Sequence, residues 1–409
     1  MSRFKLGLAL VFLLVTVASV SGCGPASEFD DRVEEITEPY KFGLAEWELE
    51  AIGGEVWDFL RGGDITGNSI AEVITYFTNS AQIRNLEATM NAVRMGNFAG
   101  DLVQMQSELD ALRSQNALRR AAVEKVLEVQ VRKTLSEQGI FNPLDRYFNV
   151  KLGFPPVKVH LGDPPHILVI STRDNIQNIK EVDLLPELTL AEMEDIEAGV
   201  ESLGYSAIVE GLGGLSTYPS FVLDEADLRF TIETIVHEWM HQYLTLTPLG
   251  FRYTLDQLGI HADYDIATIN ETVAGMVAAE IGAIVYRVYV PEQPAAPESP
   301  PDSALVFDFI KTMRDIRLAV DDLLAQGQVD EAEAFMEQQQ QYLAQNGYYI
   351  RKLNQAYFAF HGTYADSPTS VSPIGVELRE LREQSGSLEA FLDTVTGIRS
   401  RDELADKVD

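Results

Sequence analysis

The alternation of apolar and polar positions divides this chain into stretches of different character. From about Lys41 to Leu135 the spacing is helical. Leu102, Met105, Leu109 and Leu112 recur at three- and four-residue intervals, and Val123, Val126 and Leu127 continue the stripe. Charged residues fill the other faces, which predicts a packed helical region over 41–140. The stripe does not sustain a heptad, so a coiled-coil stalk is not expected. Asn142-Pro143, Gly153 and Pro155-Pro156 then punctuate the chain. Beyond them Val157 to His160 alternates, and Ile167 to Ile170 and Ser206 to Glu210 are short runs that read as strands. Between these, Thr189 to Leu203 reads as a helix, with Thr189 as N-cap and Glu192 completing a capping box. The glycine-rich Gly211-Leu212-Gly213-Gly214 reads as a loop.

Helices dominate the remainder. One runs from about Asp227 to Leu246 and is stopped by Pro248 and Gly250. A second runs from about Ile266 to Val290 and ends in a proline-rich linker over 293–302. Helices resume near Ala304 and continue to about Phe360, with breaks at Gly327 and Gly347. The pattern predicts an α+β fold, predominantly helical. A small mixed sheet and two central helices form a core over 150–292, and a helical region over 303–409 completes it. No repeat of fixed period is found.

Composition narrows the partners. The chain has 409 residues, of which 46% are hydrophobic, enough to bury a sizeable core. Its net charge of −32 and the lack of a basic cluster exclude nucleic acid as a partner.

The first residues have a separate logic. Arg3 and Lys5 precede Leu6–Val20, an apolar run of about fifteen residues, short for a spanning helix and suited to a signal peptide. Val20-Ser21-Gly22-Cys23 follows and contains the chain's single cysteine, so no intrachain disulfide can form. This stretch resembles a bacterial lipobox. The resemblance implies a signal peptide over 1–23, a lipid on Cys23 and a polar tether over 24–40. The competing reading is an uncleaved N-terminal anchor helix. Both place the rest of the chain outside the cytoplasm, attached to a bacterial membrane.

The candidate chemistry lies in His237-Glu238-Trp239-Met240-His241. Residues four apart share one face of a helix, so His237 and His241 can reach one Zn²⁺ from the same side. Glu238 lies one step round and can act as general base toward water. Ile232, Ile235, Val236, Trp239, Met240, Tyr243 and Leu244 surround the motif, so the helix is expected to be buried. Burying two histidines and a glutamate without a ligand costs several kcal/mol, roughly.

A catalytic zinc needs a third protein ligand and an open position. Asn270-Glu271-Thr272-Val273-Ala274 resembles the NExxA element of the gluzincin zinc metallopeptidases, and this implies Glu271 as the third ligand. The stretch between His241 and Glu271 is longer than in the best-known gluzincins, so an inserted loop over 247–265 is expected. His261 and Glu280 are rivals. The spacing that would make His261 a third histidine is absent, and Glu280 lies about two and a half turns on, facing away. Further along, Asn354-Gln355-Ala356 and Gly362-Thr363-Tyr364 resemble the C-terminal part of a family of bacterial aminopeptidases. That implies Tyr364 as donor to the oxyanion, with Tyr253, Tyr264 and His261 left as alternatives. The resemblance runs loosely from Pro155 to the C-terminus and does not cover 24–140.

The expected function is therefore a membrane-tethered zinc metallopeptidase, hydrolysing peptides or proteins and in one version acting as an aminopeptidase. Ser206–Glu210 and the following glycines are a candidate edge for substrate backbone, Glu210 a candidate for the substrate amine, and Arg252 one for a carboxylate. His160 and His166 receive no role. Two other readings compete. One is a lipoprotein scaffold or binding module whose zinc site is structural or vestigial. The other is hydrolysis of a peptide crosslink of the cell wall. The lipobox gives a direct expectation: the wild-type chain partitions with membranes and mass analysis finds lipid on an N-terminal Cys23, while Cys23→Ser blocks lipidation and normal lipoprotein processing. Mature, unlipidated protein still carrying Leu6–Val20 contradicts it.

Overall fold

The computed structural model describes residues 28–44, 47, 69–143, 151, 153–257, 260, 263–290, 307–364 and 367–408. The readings on Leu6–Val20, Cys23, His261 and the 293–302 linker lie outside the described residues. The fold is α+β and predominantly helical, as the pattern predicts.

The chain enters through helix α1 (Glu28–Thr37) and a 3-10 turn (Glu38–Tyr40). A tether was expected over 24–40, but Phe29, Val33, Ile36 and Tyr40 form an apolar stripe at helical spacing among the acidic residues. That stripe packs on a sheet. Helices α2 (Ser69–Arg94) and α3 (Leu102–Glu137) follow as an antiparallel pair. Asp101 caps α3 by accepting from Val103 N and Gln104 N.

Two three-stranded sheets come next. Strands β1 (Val159–Gly162), β2 (His166–Ser171) and β3 (Asn178–Leu184) precede helix α4 (Leu190–Glu201), where the capping box of Thr189 and Glu192 forms as expected. Strands β4 (Ser206–Gly211), β5 (Gly214–Leu215) and β6 (Ser220–Leu223) complete them. One sheet is antiparallel with order β3-β2-β4. The other is mixed, order β1-β6-β5, with β1 and β6 parallel. One face of the antiparallel sheet packs on α1 and α4 through Leu168, Ile170 and Val209.

The free edge of β4 is closed by side chains. Val209 N donates to Glu197 Oε1 (2.7 Å), Arg351 Nη2 donates to Val209 O (2.7 Å), and Asn354 Nδ2 donates to Ala207 O (2.8 Å). Peptide cannot add to Ser206–Glu210 as the sequence reading proposed, because the backbone groups it needs are taken.

Helix α5 (Leu228–Leu244) carries the HExxH motif, α6 (Pro248–Gln257) follows at once, and α7 (Tyr264–Tyr289) lies against α5. Helix α7 is long and apolar enough to cross a membrane, with a mean hydropathy of 1.3, but Ile266, Ile269, Val273, Ala274, Val277 and Ile281 are core residues. Helices α8 (Phe309–Ala325) and α9 (Val329–Gln345) form a second, smaller core with α10 (Gln355–His361). The last helices, α11 (Ile374–Gln384), α12 (Leu388–Val395) and α13 (Arg401–Val408), return to the main core beside α7.

The N-terminal helices belong to this core rather than standing apart. Val123, Val126, Leu127 and Val131 of α3 pack with Val159 and Leu161 of β1 and with α5 and α7. Glu124 Oε1 accepts from Leu161 N at 2.8 Å, and Glu128 Oε1 from Val159 N at 3.4 Å, so α3 covers the β1 edge with carboxylates. Burial pushes the Glu124 carboxyl up to about 7, against the Leu161 N–H and Arg120, which both pull it down. An exposed glutamate in an unfolded chain titrates near pH 4.3, so the folded state holds this proton more tightly. Its stabilisation is complete below that pH and is lost as pH rises through about 7. Glu124→Gln keeps an oxygen for Leu161 N–H and removes the titration. Between pH 5 and 8 the wild type is expected to lose about 2–3 kcal/mol more urea stability than Glu124→Gln. Parallel pH profiles for the two proteins contradict this.

Candidate metal centre

The site begins with the sequence of α5. Asp227 caps it by accepting from Phe230 N at 3.0 Å. Ile232, Ile235, Val236, Trp239, Met240 and Leu244 are buried on its apolar sides. Trp239 Nε1 donates to Pro155 O (2.9 Å), and Gln242 Nε2 donates to Thr217 O (2.5 Å) and Ser220 Oγ (2.9 Å). These bonds fix the rotation of the helix about its axis. Helix α7 is capped by Asp263, which accepts from Ile266 N at 3.2 Å, and it lies close to α5 where Gly282 meets Glu233. A Cβ at Gly282 would stand 2.6 Å from Glu233 Cγ, so a small residue is needed at this contact.

This packing brings His237, His241 and Glu271 together, with one ligand atom from each lying within 4.8 Å of the others. His241 Nε2 and His237 Nε2 are 3.0 Å apart. Glu271 Oε2 lies 3.2 Å from His237 Nε2 and 3.5 Å from His241 Nε2. A tetrahedral ion with bonds of about 2.0–2.1 Å sets its ligand atoms roughly 3.3 Å apart, so the three separations fit a metal. The tautomers fit too. His241 Nδ1 donates to Asn270 Oδ1 at 2.8 Å, which aims Nε2 at the cluster, where a metal would displace the proton it carries beside Glu271. The cluster can hold a metal ion, and its rim reaches solvent at His237, whose side chain is 17% exposed.

Charge is concentrated here. Burial pushes the Glu271 carboxyl up, but His241 and His237 outweigh it and hold the group well below the ordinary carboxylate range. For His241, burial lowers the basicity and Glu271 outweighs it, raising the ring to about 9. Glu238 is buried beside the ligands, and its carboxylate accepts no hydrogen bond from the described residues. Burial raises its pKa and Glu271 adds to this, while His237 and His241 oppose. Gly214 of β5 lies directly against it, since a Cβ there would sit 2.6 Å from Glu238 Oε1.

The remaining candidates divide sharply. Tyr364 is at the site, its ring centroid 6.3 Å from that of His237. Burial raises its phenol well above the ordinary value, with Glu271 and Glu238 adding to this, so it stays protonated. Tyr253 is also there, but its hydroxyl donates to Glu271 Oε1 at 2.8 Å. Tyr264 turns away toward Arg317 and Asp321. Glu280 pairs with Arg382 at 2.8 Å, as its place on the helix implies. Glu210 lies in the field of Arg351 and Glu197, and Arg252 faces Asp263 at 3.5 Å. His166 Nδ1 contacts Leu185 O, and the His160 ring packs on Trp47 and Phe221.

Sequence reasoning missed Glu181. Along β3 it alternates with Lys180 and Val182, which face α1 and its core, so Glu181 points to the opposite face. It reaches solvent, yet crowding by protein pushes its carboxyl up to about 7, with Asn178 pulling down and Asp183 and Glu271 pushing up. The polar–apolar alternation of Glu181–Leu184 was the available signal.

Comparison of the chain with protein-family models, curated proteins and solved structures gave no match in any of the three. The geometry alone therefore supports the metal site. About one metal ion per chain is expected, and His237→Ala and Glu271→Ala should each lose it. Full occupancy in Glu271→Ala, measured by elemental analysis after dialysis, refutes the third ligand.

Proposed function

We propose that the chain is a zinc-dependent peptidase, tethered at the outer face of a bacterial membrane through its N-terminus. The observation that carries this is Glu238. A largely buried carboxylate with no hydrogen-bond partner among the described residues, one step from two histidines that can hold a metal, has no use in a purely structural site. Two histidines and a glutamate, with a side open to solvent, are a donor set that suits catalytic zinc. Zinc held there would supply a Lewis acid and acidify a water.

The chain's own residues would do the rest. Glu238, with its raised pKa, takes the proton from water and passes it to the leaving amine. Tyr364 stays protonated and donates to the oxygen that becomes negative at the scissile carbonyl. Strand β5 is the outer strand of its sheet, and Gly214 lets it lie against Glu238, so extended substrate backbone fits here rather than on β4. Glu181 adds negative charge in the field of Glu271, which suits a free amine and favours the aminopeptidase version.

Glu238→Gln preserves shape but cannot accept the proton. It should fold, retain zinc and lose at least about a hundredfold in peptide hydrolysis. Tyr364→Phe should lose roughly ten- to a thousandfold, mainly in kcat. Comparing a free peptide with its N-acetylated form reads the requirement for an amine. A zinc-loaded wild type that cleaves nothing in a broad peptide library, or a fully active Glu238→Gln, defeats the proposal.

A further inference from the structure

The long stretch between the second histidine and the glutamate ligand was expected to be a loop. It contains a helix instead, and that helix delivers a side chain to the metal ligand. Thr247 Oγ1 donates to Leu244 O at 2.7 Å and accepts from Gly250 N at 3.3 Å, which turns the chain sharply after α5. Pro248 opens α6, where its missing N–H does no harm. Gly250 then lies against the end of α5. A Cβ there would come within 2.0 Å of Leu244 O, so no other residue fits without moving the helix. Leu249 is fully buried, and its N–H donates to Thr396 O at 3.2 Å, which ties α6 to the C-terminal core.

Tyr253 lies one turn beyond Gly250. Its ring stacks on His241, with centroids 5.7 Å apart and planes at 21°. Its hydroxyl donates to Glu271 Oε1 at 2.8 Å, while Glu271 Oε2 is the atom that faces the two histidines. The two oxygens of one carboxylate thus have separate tasks. Asn270, the neighbouring residue, orients His241 in the same way.

Resting on the metal-site reading above, we infer that Tyr253 is a positioning residue that fixes Glu271 as a one-oxygen ligand, and that α6 exists in this chain to place it. The hydrogen bond holds Oε1 away from the ion. Coordination by protein then stops at three atoms and leaves room for water and substrate. Stacking on His241 orients a second ligand through the same side chain. Tyr253 is thereby committed, and the role of oxyanion donor falls to Tyr364.

The test uses the purified full chain and zinc as the probe, with affinity measured by competition against a chromogenic chelator. Tyr253→Phe should bind zinc about 10–100-fold more weakly, the usual scale for losing an outer-shell partner. Cobalt substitution gives a signature that a merely structural role would not move. With Tyr253→Phe, Glu271 is free to offer both oxygens, and the visible bands should weaken as four-coordinate cobalt gives way to a higher coordination number. Gly250→Ala reaches the same point independently, because it keeps the tyrosine but displaces α6. Its zinc affinity should fall in the same direction. Wild-type zinc affinity with an unchanged cobalt spectrum in folded Tyr253→Phe overturns the inference and leaves the metal site standing, as does wild-type affinity in folded Gly250→Ala. A wild type that binds no zinc overturns both.

Discussion

The Glu271 carboxylate is buried between His237 and His241, and it stays ionised there only because positive charge is brought to it. Much of the fold can be read as the means of doing so. Two long helices must cross closely enough for side chains on each to meet. Gly282 allows this at the contact with Glu233, and Ala267, Ala274 and Ala278 keep the buried side of α7 small. The rotation of α5 is set by Trp239 and Gln242, which bond to the backbone of the neighbouring loops. An ion buried without such partners is strongly destabilising, so the cluster demands precision from residues far from it in sequence.

The same demand explains why helices α2 and α3 are part of the core. Helix α3 places Val123, Val126, Leu127 and Val131 under α5 and α7, and its Glu124 and Glu128 satisfy the backbone of the outer strand β1. Buried carboxylates serve here as backbone acceptors rather than as catalysts. Tyr76 and Arg120 bond to Asp224 just ahead of α5, which links α2 and α3 to the start of the helix that carries His237 and His241. The strongly negative chain thus brings several carboxylates inside, and Glu124, Glu128 and Asp224 are each answered by a donor or a cation.

Features with local causes were legible in the sequence. The capping box of α4 comes from Thr189 and Glu192, three residues apart, and the HExxH helix from four-residue spacing among apolar neighbours. Glu271 came from the resemblance of Asn270–Ala274 to the gluzincin element, and the structure brings it to the two histidines. What escaped has distant causes. Strands β5 and β6 are two and four residues long, too short for alternation to speak. Pro248 and Gly250 look like breakers, and only the packing against Leu244 shows that they start and seat a helix. The role of Tyr253 depends on which oxygen of Glu271 it meets, and no spacing encodes that. Helix α1 was hidden because acidic residues outnumber its apolar stripe.

The central claim is that three side chains from two helices converge on one metal ion. Anomalous diffraction from crystals grown with zinc, recorded on both sides of the zinc absorption edge, tests it most directly. One strong peak per chain is expected, within bonding distance of His237 Nε2, His241 Nε2 and Glu271 Oε2, with Glu271 Oε1 still on Tyr253. A peak elsewhere, or no peak between these three atoms at saturating zinc, contradicts it.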